Sequence, residues 1–209
     1  MRKILLTIAA TMASLASFAQ YNSGGFSLDK DNMYYGIRIG MTVSRLHGDA
    51  HFFTPDDSKT GLTLGGVLGL RLSNFTPVFL ESGLYYTERG GKGNDINPES
   101  AKKHAVSKFN IIEIPVLIKY GIKTGDEVAL LPFAGSYFSM AVNGKTNKHG
   151  TFQKDYFKRF DAGFKLGCGV EYSLLYIEMG YQFGLSNISN NEDNSVHHGA
   201  LFANFGVNF

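Results

Sequence analysis

The residues of this chain best suited to chemistry are its six histidines, His47, His51, His104, His149, His197 and His198, all in or beside long polar stretches between apolar segments. Imidazole ligates transition metals and moves protons near neutral pH, so these six are the candidate ligands for a metal or haem site at one mouth of the molecule. Hydrolysis or acyl transfer would need a nucleophile that some feature singles out beside a base. Ser186 and Ser195 lie near His197 and His198 in sequence, but nothing distinguishes them from ordinary loop serines. No catalytic residue and no cofactor are therefore expected. Gly90 to Gly93 lacks the Gly-Lys-Ser/Thr ending and following helix of a phosphate loop. Cys168 is the only cysteine, which excludes an intrachain disulfide. A net charge of +2 from 20 basic and 18 acidic residues, with no basic cluster, gives no reason to expect nucleic acid.

A second set of chemically capable residues sits inside the apolar segments: Arg38, Arg71, Glu81, Glu113, Lys119, Asp161, Lys165, Glu171 and Glu178. Residues 160–172 show how they are held. Every even position there is apolar, and every odd position is glycine or charged: Asp161, Gly163, Lys165, Gly167, Gly169, Glu171. That period of two belongs to a β-strand. A soluble protein would bury the apolar face, whereas a membrane barrel turns it to lipid and packs the polar face into its lumen.

The same alternation recurs along the chain. It predicts strands over about 34–44, 62–72, 78–87, 109–120, 128–142, 160–172, 175–186 and from about residue 200 to the end. The nine charged residues above fall on the polar face throughout, and Arg89 continues that face beyond the third strand. Only the strand at 128–142 has faces that cannot be assigned, because Leu131, Phe133 and Tyr137 alternate with Leu130, Phe138 and Met140. A basic residue on the lipid face near the midplane would cost about 2 to 4 kcal/mol, so this sorting is what lipid requires. Mixed charges in an eight-stranded lumen, only wide enough for side chains to fill, predict a plugged interior. Pro115, which removes a ladder donor, predicts a bulge.

Arg2 and Lys3, an apolar run from Ile4 to about Leu15, and the small residues Ser17 and Ala19 make residues 1–19 a secretory signal peptide. Residues 20–33 read as a short flexible lead, and 34–209 as the barrel. The connections run long, short, long, short, long, short, long, as in outer-membrane barrels with long external loops and tight periplasmic turns. Tyr34, Tyr35, Tyr86, Phe109, Tyr120, Phe160, Tyr172 and Phe209 near strand ends suit interfacial girdles. The fold expected is an all-β, eight-stranded antiparallel up-and-down transmembrane barrel, monomeric, in the outer membrane and surrounded by its lipid. A secreted, soluble lipocalin-like barrel and a lipid-modifying enzyme are the alternatives.

Several segments carry a resemblance to a known family: Gly36-Ile37-Arg38-Ile39-Gly40, Gly83-Leu84-Tyr85-Tyr86 followed by Gly90-Gly91, residues 113–120, Phe160-Asp161-Ala162-Gly163 and Gly184-Leu185-Ser186-Asn187-Ile188. Together they resemble the small outer-membrane β-barrel proteins of Bacteroidetes known as PorT-like. The resemblance spans 34–209. It implies the fold and the compartment, and Phe209 as the signal read by the barrel-assembly machinery; the long loops themselves point to a structural or binding barrel whose partner is another envelope protein or something outside the cell.

Overall fold

The computed structural model describes residues 33–48, 53–95, 104–125, 128–146, 159–186 and 196–209. The expected signal peptide and all of the lead except Met33 lie outside these residues. Eight long strands follow one another: β1 (Met33–Gly48), β2 (Phe53–Arg71), β3 (Val78–Asp95), β4 (His104–Tyr120), β5 (Val128–Thr146), β6 (Phe160–Tyr172), β7 (Leu175–Gly184) and β8 (Val196–Asn208). A two-residue ladder, Ile122–Lys123 against Leu130 and Ala129, shapes the turn before β5. Each strand pairs antiparallel with its chain neighbours, and β1 pairs with β8 to close the sheet.

The registers define the barrel's geometry. Tyr34 faces Gly69, Gly69 faces Glu81, Glu81 faces Leu117, and Leu117 faces Gly135. Gly135 then faces Lys165, Lys165 faces Gln182, Gln182 faces Ala200, and Ala200 faces Ser44. One circuit thus returns to β1 ten residues from its start, between Tyr34 and Ser44. A ten-residue stagger at about 3.3 Å per residue, over eight strands about 4.8 Å apart, tilts the strands by about 40°. The cylinder is narrow enough for opposite walls to touch through their side chains.

Alternation sorts the two faces as lipid demands. Leu62, Leu84, Ile118, Leu166, Ile177 and Met179 are exposed on the outside, while Arg38, Glu81, Lys119 and Glu171 are 0% exposed within. A soluble lipocalin-like barrel would place apolar side chains inside and charge outside; here the arrangement is the reverse. Cys168 faces out with its apolar neighbours. Glycines on the inner face make room for rings: a Cβ on Gly169 would strike the Tyr176 ring, and one on Gly69 the Tyr34 ring.

Two expectations are corrected, and the faces that the sequence leaves open in one strand are assigned. First, strands run well past the membrane at the end away from the short turns. β2 absorbs Pro55 and most of the expected first loop, β3 and β4 take up much of the insert at 90–108, and β1 continues to Gly48. His47, His104, His197 and His198 consequently lie within strands. Backbone pairing satisfies polar groups as well as water does, so a polar sequence above the bilayer is free to continue the sheet. Second, Pro115 carries no bulge: Pro115 faces Tyr137 in continuous register, and the shift in this ladder falls at Asn110/Ile111. Towards β3 the pairing resumes in the same register on both sides of Pro115, and the Ser82 hydroxyl donates to the Pro115 carbonyl at 2.8 Å. The open strand, β5, acquires definite faces, with Ala129, Leu131, Phe133, Tyr137 and Ser139 buried and Leu130, Phe138 and Met140 exposed.

Candidate functional site

The polar faces of all eight strands meet in the lumen as two clusters of charge stacked along the axis. The cluster nearer the short turns centres on Glu81 of β3 and Lys119 of β4, adjacent strands that put both groups at one level. Lys119 Nζ lies 2.9 Å from Glu81 Oε1 and 3.2 Å from Glu178 Oε2. The same ammonium donates to the Tyr176 hydroxyl at 2.7 Å, and the Tyr34 hydroxyl donates to Glu81 Oε2 at 2.6 Å. Arg38 stands 3.8 Å from Glu81 and stacks 4.1 Å over the Tyr176 ring. Glu178 accepts from Asn204 at 2.8 Å, and Glu171 from Asn208 at 3.1 Å.

The outer cluster centres on Glu113 of β4. Arg89 Nη2 donates to its Oε2, Gln182 Nε2 donates to the same oxygen at 2.8 Å, and Lys165 Nζ donates to Oε1 at 3.0 Å. Arg89 also donates to Gln182 Oε1 at 2.7 Å. Asp161 stands apart, half-buried, accepting from the Tyr137 hydroxyl at 2.9 Å. β5 contributes rings in place of charge: Phe133 lies 5.1 Å from Lys119 Nζ, and Tyr137 5.6 Å from the Arg89 guanidinium. Cations over aromatic faces gain further in a desolvated setting.

Charge balances across this column. Among the described residues the buried cations Arg38, Arg89, Lys119 and Lys165 number four, as do the buried carboxylates Glu81, Glu113, Glu171 and Glu178. A single-sign ring would mark an ion path; here each cluster holds both signs, Arg38 and Lys119 with Glu81 and Glu178 in one, Arg89 and Lys165 with Glu113 in the other. Against the outer cluster a cavity of about 10 Å³ is lined by residues including Thr42, Thr63, Arg89, Glu113, Lys165 and Asn204, room for about one water molecule.

Seven of the nine expected lumen charges join or adjoin these clusters, and an eighth, Asp161, is bonded to Tyr137. Arg71 does not join them: it lies half-exposed near the turn, donating from Nε to the Ser73 carbonyl at 3.0 Å. Its place in the balance is taken by Arg89, 2% exposed, because β3 runs eight residues past Thr87 and carries the inward face with it. The odd-numbered series Glu81, Tyr85, Thr87, Arg89 was the signal for it. Gln182, Asn204, Asn208 and the ring hydroxyls are the remaining partners, ordinary residues whose roles follow only from cross-barrel proximity.

Among the described residues the histidines fall on two separate ladders. His51 and His149 lie outside the described residues, and His104 faces Asn94 across the β3–β4 ladder, away from the β1–β8 seam of His47, His197 and His198. Among the described residues, no three His, Cys, Asp or Glu side chains cluster to hold a metal. Ser186 donates its hydroxyl to the Ala162 carbonyl at 3.3 Å, a structural contact at the end of β7; Ser195 is outside the described residues. Phe209 is 7% exposed, its ring 5.5 Å from Tyr35, and the two residues exchange backbone hydrogen bonds.

A closed antiparallel barrel with an apolar exterior band and a charged interior is a transmembrane barrel, since lipid tolerates neither open sheet edges nor unpaired backbone. Residues 18–190 match the outer membrane protein beta-barrel domain family, and the chain belongs to that family. It is a protein of the outer membrane. Among solved structures, a major outer membrane protein from Thermus thermophilus is similar over 85% of this chain and 99% of its own, at 11% identity and a TM-score of 0.52. Neisserial surface protein A aligns over 84% of this chain and 97% of its own, at 18% identity and a TM-score of 0.49. Ail, the attachment invasion locus protein of Yersinia pestis, aligns over 86% of this chain and all of its own, at 16% identity and a TM-score of 0.45. No curated protein matches the sequence.

Proposed function

We propose that this protein is a monomeric, non-conducting outer-membrane barrel that acts from its external rim, where extended strands and their connections contact another envelope or extracellular protein. The lumen is plugged by its own ion pairs, and no catalytic step is assigned to it. The observation that carries this reading is the interior of the described residues, where four buried cations and four buried carboxylates balance and the cations Arg38, Arg89, Lys119 and Lys165 all lie against Glu81, Glu113 or Glu178. A conducting pore would need a continuous wet path, and an eight-stranded cylinder whose inner face carries Tyr34, Tyr85, Tyr137 and Tyr176 has little width left for one. The PorT-like resemblance supports the fold and compartment of this reading, with Phe209 read by the assembly machinery.

Planar-bilayer recording of the refolded barrel tests the plug. The expected trace has no stable conductance steps at either polarity; reproducible steps would discard the plug and make the lumen a pathway. A photo-crosslinker at Lys108, near the outer rim, should capture a protein in intact cells, while one at the lipid-facing Ile177 should not.

A further inference from the structure

The two charge clusters of the lumen both send a side chain to one cavity. Asn204 of β8 belongs to the cluster nearer the short turns, where its Nδ2 donates to Glu178 Oε1 at 2.8 Å. Arg89 of β3 belongs to the outer cluster, where its Nη2 donates to Glu113 and, at 2.7 Å, to Gln182 Oε1. Both residues are buried, and both line the cavity of about 10 Å³. Each is also only half used. Asn204 Oδ1, and Arg89 Nε and Nη1, have no hydrogen-bond partner among the described protein groups. A buried polar group without a partner forfeits the hydration it had in the unfolded chain, so an acceptor and two donors stand in need of the same thing.

The chemistry of the wall decides what can supply it. Thr42, Thr63, Glu113, Lys165 and Gln182 also face this space. Cavities that stay dry are apolar, whereas a polar one of this size holds about one water with two to four partners. A halide is drawn to Arg89 and Lys165 but meets the Glu113 carboxylate in the same wall, and it has no proton to give Asn204 Oδ1. A metal cation is repelled by Arg89 and Lys165 and cannot accept from a guanidinium. Water both accepts from Arg89 and donates to Asn204.

From this arrangement we infer that the cavity is a binding site for one internal water, which bridges Asn204 Oδ1 to Arg89 and joins the two clusters. The lumen then carries one continuous hydrogen-bonded column, running from Glu81 through Lys119, Glu178, Asn204, the water and Arg89 to Glu113. The inference rests on the reading of the lumen as plugged and adds the component that makes the plug a single network.

The test uses the full-length mature barrel refolded in detergent. A crystal structure that shows ordered solvent places one water within about 3.2 Å of both Asn204 Oδ1 and an Arg89 nitrogen, and crystals soaked in bromide show no anomalous peak there. Oxygen-17 relaxation dispersion in solution counts long-lived internal waters. Thr42→Ile, which removes a hydroxyl and adds a methyl group at the cavity wall, lowers that count by one, while Thr42→Ser, which keeps the hydroxyl and the space, does not. Retention of the heat-dependent gel shift confirms that each variant is folded. A cavity without a water, a bromide peak in it, or a count unchanged by Thr42→Ile overturns the inference while a barrel silent in planar bilayers keeps the plug. Stable conductance steps overturn both.

Discussion

Within the bilayer and above it, the same sheet obeys different rules. In the lower part every strand pairs on both sides, and the circuit from Tyr34 to Ser44 closes without a gap. Above, β7 stops at Gly184 and β6 begins at Phe160, while β2, β3, β4 and β5 continue as a partial wall to residues 53, 95, 104 and 146. The difference lies in the solvent. Hydrocarbon offers no partner to an unpaired backbone group, so closure there is obligatory. Water offers one, so strands above the membrane end at different levels. β7, with ten residues, spans the hydrocarbon and little more.

The same contrast predicts where substitutions hurt. The largest effect should come from Glu113→Ala, which strands Arg89 and Lys165 in the lumen; breaking a buried pair costs about 3 to 5 kcal/mol, read as a fall in the urea midpoint for unfolding from lipid vesicles. Leu166→Lys, on the lipid face, should cost about 2 to 4 kcal/mol and reduce the heat-shifted folded band on gels. Should it prove neutral, the outward face does not meet lipid at that depth. Ser173, at φ 54°, sits in the left-handed region in the two-residue turn between β6 and β7. Ser173→Gly relieves that strain and should stabilise the barrel by less than about 1 kcal/mol, again by the urea midpoint. Smallest is Lys108→Ala, which removes the exposed 3.0 Å pair with Glu88 near the rim; about 0.5 kcal/mol or less is expected. A Lys108→Ala loss equal to that of Glu113→Ala would erase the distinction between lumen and rim.

How legible these regions are in sequence follows from the same physics. Where lipid lies on one side and paired charge on the other, as in β6, each residue type reports its face. β5 resists because its inner face supplies rings to the cations of other strands; Phe133 under Lys119 and Tyr137 under Arg89 are as apolar to the eye as Phe138 and Met140 outside. Above the bilayer both faces meet water, so residues 53–60 and 90–95 carry no alternation, and the strands through them are visible only in the pairing.

The sequence by itself determined the period, the two faces of every span but 128–142, the eight spans and the outer-membrane location, because contact with lipid is a constraint each residue meets alone. Which charge answers which was decided only by the tertiary structure. Arg89 reaches Glu113 across neighbouring strands and Gln182 across the lumen, and Arg38 of the first strand reaches Asn208 of the last. Such meetings depend on register and stagger, which no single strand's pattern encodes.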